Sequence, residues 1–340
     1  MTMKRSITAA ALLAALTLGA TSPAVASVYA GSRLLIDDLT INVTNLAAGA
    51  NPRFTFTTSS SANLNGSETG SSVTCGNVAG SAACGGVPLI LGSTSSEGTP
   101  TRNPDDFTFF GPSFGQTYAN ASSEIQDAEL ITGSPTIANQ ISETEIAGSG
   151  FGITETDLSS ETRLTFTFTV GEDTGDLTLS FKAAPNLFVA VDTPDLVDAL
   201  ATARLDASFN LVGTGGQQVS WSPSGATGSG EGNAGIGDCS GVLECEVTES
   251  GLRLNSVTRT LPAGNPASNS FGGDRDTPEF QLYTFQVTGL TAGDWTLSLA
   301  SSTFAQARQE VPEPATMLLL GTGLVGLGMV AVRRRRITGS

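Results

Sequence analysis

Leu164-Thr165-Phe166-Thr167-Phe168-Thr169-Val170 alternates apolar and hydroxyl side chains without a break. Successive side chains of a strand point to opposite faces, so Leu164, Phe166, Phe168 and Val170 share one face and three threonines the other. A period of two predicts a half-buried antiparallel strand. Beyond Gly171 to Gly175 (GEDTG), Leu177-Thr178-Leu179-Ser180-Phe181 repeats the pattern, so the two segments are expected to pair as a hairpin around that turn. Near the other end, Tyr283-Thr284-Phe285-Gln286-Val287 and Trp295-Thr296-Leu297-Ser298-Leu299 flank Gly289 to Asp294 and predict a second hairpin. Shorter candidate strands are Arg33–Ile36, Leu39–Val43, Phe54–Thr57, Phe107–Phe110, Asn186–Val191, Ala207–Val212, Gln218–Trp221 and Leu252–Val257.

Composition agrees with short strands and many turns: Gly, Ser, Thr and Asn dominate, and only 14% of the 340 residues are charged. Two segments read as helices. Ser122 to Ile131 would be amphipathic, with Ile125 and Leu130 inward and acids outward. Pro194 to Arg204 has Thr193 as N-cap, Pro194 at the first helical position and Asp195 against the dipole. Two low-complexity stretches, Gly92 to Pro104 and Ser222 to Gly237, interrupt the pattern; the second either divides two subdomains or is a long loop. The fold class expected is all-β, an antiparallel β-sandwich or jelly roll with one long core.

No histidine occurs, which removes Ser-His-Asp and Cys-His catalysis and imidazole-based zinc sites. Four cysteines form two close pairs, and short loop closure favours Cys75 with Cys84 and Cys239 with Cys245 as disulfides. Zinc is the rival reading, but the spacings are not those of a ribbon or finger. Asp105 with Asp106, and Asp173 with Asp176, are paired carboxylates of the kind glycosidases use, although both sit in turn-like sequence. Asp274-Arg275-Asp276-Thr277-Pro278-Glu279 offers oxygen ligands to Ca²⁺, with Arg275 inside the cluster and no EF-hand glycine. A solvated loop is the ordinary reading, so no metal or other cofactor is expected. Trp221 and Trp295 could stack on sugars, but Trp295 is in phase with Leu297 and Leu299, which favours the core. Asn42-Val43-Thr44, Asn65-Gly66-Ser67 and Asn120-Ala121-Ser122 match the glycosylation acceptor pattern.

The two ends carry the topology. Lys4 and Arg5 precede a mostly apolar run from Ile7 to Ala20, and Ala24-Val25-Ala26 supplies the small-x-small pattern of a signal-peptidase site. Cleavage is expected before Ser27, making residues 1–26 a secretory signal peptide. At the other end Val311-Pro312-Glu313-Pro314 precedes an apolar run from Ala315 to Val332 and four arginines, Arg333, Arg334, Arg335 and Arg336. The 18-residue run would rise about 27 Å as a helix, near the lower limit for a bilayer core. The arginines then form a stop signal expected to stay in the cytoplasm. All 32 acidic residues and ten of the 16 basic ones lie between these ends, so the exported part carries about −22. Such a surface repels nucleic acid.

This tripartite tail of proline-acid-proline, span and arginine cluster resembles the PEP-CTERM sorting signal, the address tag of bacterial proteins handled by an exosortase. The resemblance covers residues 308–336, leaving 27–307 as the β-rich exported domain. It implies an exosortase as partner, with Pro312 and Pro314 holding the peptide extended and Glu313 as a charged handle. It also implies transient anchoring in the inner membrane by residues 315–332, then passage to the cell surface or a matrix rich in exopolysaccharide, in biofilm. The function expected is a non-enzymatic surface or matrix protein. The alternatives are a carbohydrate-binding module of that matrix and a periplasmic protein or enzyme kept on its tether.

Overall fold

The computed structural model describes residues 26–311, apart from 80, 82, 84–88, 97–104, 113–116, 127–129, 131–134, 149–151, 193–197, 240 and 263–266. No helix occurs among the described residues; the regular elements are strands, arranged in two antiparallel sheets. In chain order they are β1 (Ala26–Val43), β2 (Arg53–Leu64), β3 (Ser67–Gly76), β4 (Leu89–Ser96), β5 (Tyr118–Gln126) and β6 (Thr136–Gly148). Then follow β7 (Gly152–Val170), β8 (Gly175–Val191), β9 (Asp198–Gly213), β10 (Gln218–Trp221), β11 (Gly228–Ser229) and β12 (Ile236–Cys239). The last are β13 (Glu244–Glu249), β14 (Val257–Pro262), β15 (Ala267–Gly272), β16 (Gln281–Leu290) and β17 (Gly293–Val311). One sheet runs β11-β13-β16-β8-β1-β6-β5-β4, with β15 also on β8; the other runs β12-β10-β9-β17-β7-β2-β3, with β14 also on β9.

Both expected hairpins are instead crossings between the sheets. Strands β7 and β8 carry the predicted alternation, with Leu164, Phe166, Phe168, Val170, Leu177, Leu179 and Phe181 all buried. Yet β7 pairs with β2 and β17, whereas β8 pairs with β1 and β16. Strands β16 and β17 separate in the same way. An apolar-in, hydroxyl-out strand buries its face equally well beside a neighbour or opposite one; the backbone of the connection decides. Gly171 N–H donates to Asn45 O at 2.8 Å and Ala47 N–H to Thr169 O at 2.9 Å. Thr44 N–H donates to Asp176 O at 2.9 Å, and Asp176 N–H to Thr44 Oγ1 at 2.9 Å. The β1–β2 and β7–β8 crossings therefore satisfy each other's backbone groups.

A true hairpin forms at a dipeptide first read only as a glycosylation acceptor. Asn65 and Gly66 have positive φ angles, 51° and 81°, and join Leu64 to its cross-strand partner Ser67. Two positive φ angles match the twist of paired strands, which is why Asn-Gly is the strongest short hairpin signal.

Both expected helices are overturned where they can be seen. Residues 122–126 lie in β5, which pairs with β4 and β6 and is buried on both faces as far as Ile125. Residues 198–204 lie in β9, where Ala199, Ala201, Ala203 and Leu205 are buried alternately and backbone pairs run to β17 and β14. Alanine favours helix by tenths of a kcal/mol per residue, and pairing on both sides outweighs that. The cap at Thr193 and Pro194 lies outside the described residues. Phe107–Phe110 is irregular, with Phe107 and Phe109 packed on Leu35, Ile141 and Ala184, and Leu252–Val257 is irregular up to the start of β14. Arg33–Ile36 and Leu39–Val43 are one strand, joined through a bulge at which Asp38 has φ 54°. Ser222 to Gly237 carries β11 and the start of β12, which belong to different sheets.

The core changes character along the sandwich. One half is aromatic: Trp221 stacks on Phe209 at 4.7 Å and Phe285 at 5.1 Å, and Phe181 stacks on Phe209 and Tyr283. The other half places hydroxyls inside, where Ser142 meets Thr303 at 3.0 Å and Thr58 meets Thr162 at 3.1 Å. Ser160 donates to the carbonyls of Ser122 and Ile141 across the sheets. Gln140, with its amide oxygen toward Ser301 and Thr162, accepts from both. These hydrogen bonds satisfy polar side chains that the sandwich buries.

At the far edge the Cys239–Cys245 disulfide ties β12 of one sheet to β13 of the other, as expected from the spacing. Closing so short a loop stabilises by about 2 kcal/mol. Cys75 is also disulfide-bonded; position 84, the other half of that expected pair, lies outside the described residues.

Glu249 pins the neighbouring loop. Its carboxylate accepts from Trp221 Nε1 at 2.8 Å, from Ala226 N–H at 3.1 Å and from Gly225 N–H. Burial raises its pKa above the ordinary carboxylate value, and these hydrogen bonds oppose the rise without cancelling it. A raised folded-state pKa means that the native protein binds this proton more readily than the unfolded chain. The stabilisation is therefore fully present below about pH 4.5, the unfolded value, and is lost as pH rises through the folded one. Relative to Glu249→Gln, wild type should gain stability on acidification from pH 8 to 4.5. Denaturant titrations of both proteins across that range check this, and parallel profiles would count against it.

Candidate sorting and processing site

The C-terminal end of β17 and the N-terminal end of β1 leave the molecule together. Strand β17 is an interior strand: it pairs with β7 from Gly293↔Val170 to Val311↔Gly152 without a register shift. On its other side it pairs with β9 from Trp295↔Gly213 to Glu310↔Asp198. Nineteen residues at about 3.3 Å each make it about 60 Å long. Its inward row ends in small or polar side chains, with Ala305, Ala307 and Gln309 buried. The last described pair is Val311↔Gly152, and the next residue, Pro312, has no N–H to donate to a ladder.

In the other sheet β1 begins at Ala26, opposite Gly148 of β6. Four Cα steps separate Gly148 from Gly152, the partner of Val311, so the chain keeps those strand ends within about 14 Å. The expected cleavage site thus meets a strand: Ala24 lies outside the described residues, Ala26 opens β1, and Ser27 is buried. Ser27 Oγ donates to Glu145 Oε1 at 3.1 Å, and Ser27 O accepts from Asp192 N–H at 3.0 Å. Pro312, Glu313, Pro314 and Arg333 to Arg336 lie outside the described residues, as does the apolar run. No described helix is long and apolar enough to cross a membrane. Strand β17 runs four residues past position 307, so the domain's last strand leads directly into the proline-acid-proline step.

Other sequence candidates fall elsewhere and do not converge. Trp221 and Trp295 are both core residues, and Trp295 Nε1 donates to Thr291 O at 2.9 Å, so neither offers a platform to a sugar. Asp106 caps its own turn by accepting from Thr108 N–H at 2.9 Å. Asp173 and Asp176 sit at the β7–β8 crossing. In the Asp274–Glu279 loop, Asp276 accepts from Arg275 Nε at 3.0 Å and Asp274 from Asp276 N–H at 2.8 Å. The Arg275 guanidinium holds the Asp276 carboxyl below the usual carboxylate range. Among the described residues no three metal-ligating side chains converge. Asn42 and Asn65 are exposed, whereas Asn120 is buried in β5 and out of reach of a modifying enzyme.

One buried polar group escaped the sequence reading. On the outer face of the β1–β6–β8 sheet, Tyr29 Oη and Gly111 N–H both donate to Glu143 Oε1, at 2.6 and 2.9 Å. Arg33, 1% exposed, donates to Phe107 O at 3.2 Å and Arg275 O at 3.0 Å, and lies 5.0 Å from the Phe109 ring centroid. Asn186 Nδ2 donates to Gly273 O at 2.8 Å. These contacts clamp residues 107–111 and 273–275 over the sheet and leave Glu143 and Glu145 without solvent access. The signal was present in Gln140-Ile141-Ser142-Glu143-Thr144-Glu145, where polar residues occupy both faces of a strand, but no local rule says what covers them.

No curated protein and no solved structure matches the chain. The family comparison bears on the end of β17: residues 310–336 match the model of the PEP-CTERM protein-sorting motif. Its first two residues, Glu310 and Val311, are also the last two of β17. The chain therefore carries a PEP-CTERM sorting motif at its C-terminus, which points to an exosortase-sorted protein of the cell envelope or surface, with exosortase as its processing partner.

Proposed function

We propose that this protein is a non-enzymatic component of the cell surface or extracellular matrix, delivered by exosortase. The observation that carries the reading is the sorting motif at residues 310–336, joined without a linker to an interior strand of a folded domain. In this reading signal peptidase removes residues 1–26 during export. Residues 315–332 then hold the chain in the inner membrane, with Arg333 to Arg336 on the cytoplasmic side. Exosortase cuts near Pro312-Glu313-Pro314 and the sandwich passes outward, to a matrix rich in exopolysaccharide.

The absence of histidine, and acidic groups committed to turns or buried beneath loops, support a structural role over a catalytic one. No cofactor is assigned. Burial of both tryptophans removes the feature that had favoured a carbohydrate-binding module.

Cell fractionation tests the route. In cells lacking the exosortase, full-length chain should accumulate in the inner-membrane fraction and the released form should fall at least tenfold. Equal release with and without the enzyme would overturn the proposal, and retention in both strains would favour a permanent tether.

A further inference from the structure

We propose that a polar cleft on the outer face of the β2–β7–β17 sheet binds a neutral polysaccharide through its hydroxyl groups. The inference rests on the matrix reading above for where the polysaccharide is met, and on side chains which that reading does not use. The cleft has a volume of about 530 Å³, within the roughly 300–1,000 Å³ of small-molecule sites. Strand register sets its floor. Arg53 of β2 and Thr296 of β17 lie on either side of Thr167 of β7, and Asp294 lies opposite Thr169 in the next row. All five alternate with buried residues and so point outward. Neighbouring strands are about 4.8 Å apart and successive residues of one face about 7 Å, so these side chains form a grid the size of one or two sugar rings.

The backbone around the cleft is already fixed. Ala47 N–H donates to Thr169 O and Ala50 N–H to Ala47 O, both at 2.9 Å, which holds Gly49 to Asn51 as a wall beside the floor. Asn77 clamps the chain on both sides of Arg53: its Oδ1 accepts from Phe54 N–H at 2.7 Å and its Nδ2 donates to Pro52 O at 3.0 Å. Binding then has little to order beyond the side chains themselves.

The lining selects the ligand. Thr169 Oγ1 donates to Asp294 Oδ1 at 2.6 Å, which leaves Oδ2 to accept from a ligand hydroxyl. Among the described residues the Arg53 guanidinium has no ion pair or hydrogen bond, so its donors are free at the opposite corner. Donors at one corner, a carboxylate at the other and threonine hydroxyls between them suit sugar hydroxyls, which both donate and accept. Arg53 and Asp294 cancel, so the cleft has no net charge, and the exported domain at about −22 repels a polyanion. A neutral glycan meets no such repulsion. Trp295 lines the cleft but is 2% exposed, so the contacts are hydrogen bonds rather than ring stacking. Each is weak in water, but a polymer repeats its sugar and a matrix repeats the protein, so weak contacts add together.

The test is affinity electrophoresis of the full chain, extracted in detergent, through gels containing the cells' own matrix polysaccharide. Anion exchange first splits that polysaccharide into neutral and acidic fractions. The neutral fraction should retard wild type, and Arg53→Ala and Asp294→Asn should each cut the retardation at least fivefold at an unchanged melting temperature. Thr178→Val, on the outer face of the other sheet, should match wild type. Retardation by the acidic fraction alone, by neither fraction, or equally in wild type and both cleft variants overturns the inference. Release by exosortase is read separately in the same cells. Normal release without binding sinks the cleft and leaves sorting standing, whereas binding without release does the reverse.

Discussion

Replacing Pro312, Glu313 and Pro314 together by alanine should reduce release of the protein at least tenfold while leaving the sandwich as stable as wild type. The two halves of this expectation come from different places. These residues lie within the matched sorting motif, residues 310–336, and the proposed recognition of a short extended peptide would depend on a few side chains and a restricted backbone. The strand register explains why stability should not move. The last described pair is Val311 with Gly152, and the three substitutions follow it at positions where two of three residues have no N–H to give a ladder. Fractionation with an antibody to the folded domain reads the first half, and a thermal melt of protein extracted from the membrane reads the second. Unchanged release would remove the proline-acid-proline step from the mechanism. A melting temperature lowered by several degrees would mean that the motif belongs to the fold.

Replacing Trp221 by alanine should cost about 5 kcal/mol, a large part of the 5–15 kcal/mol by which a typical domain is stable. Removing a buried indole usually costs 3–5 kcal/mol through lost burial and the cavity left behind. Here the cavity opens among Phe209, Phe285 and Phe181, which stack on one another or on the indole and cannot all move in to fill it. Glu249 also loses the Nε1–H donor at 2.8 Å and stays buried, which adds about 1–3 kcal/mol. Trp221→Phe separates the contributions, because it keeps an aromatic ring and removes only the donor and part of the volume. Denaturant unfolding should order the proteins wild type, Trp221→Phe, Trp221→Ala. A loss below 1 kcal/mol in the alanine variant would show that Trp221 is a surface residue after all.

How far the sequence could be read depended on the range of the interactions involved. The alternation in Leu164–Val170 and Leu177–Phe181 correctly predicts strands and buried faces, because side-chain direction in a strand is local geometry. The same alternation says nothing about the neighbour, and the two supposed hairpins open into crossings between sheets. The Asn65-Gly66 hairpin was legible and was passed over, since its signal lies in backbone angles that this dipeptide favours. Alanines at Ala199, Ala201 and Ala203 misled in the other direction: a weak helix preference gave way to two flanking strands. Glu143 and Arg33 could not be placed at all, because what makes them structural is a pair of covering segments distant in sequence.

The sorting tail was determined by sequence alone: proline chemistry, an apolar run and a cluster of like charges act over a few residues and need no partner to be recognised. Close pairing of Cys239 with Cys245 was equally local. Only the tertiary structure decided that the tail follows directly on an interior strand, that the start of β1 lies at the same end, and that serine and threonine hydroxyls pair inside part of the sandwich. Those features arise from pairings between residues up to hundreds of positions apart. Such contacts depend on which backbone groups find partners once the chain is compact, and no local pattern encodes that choice.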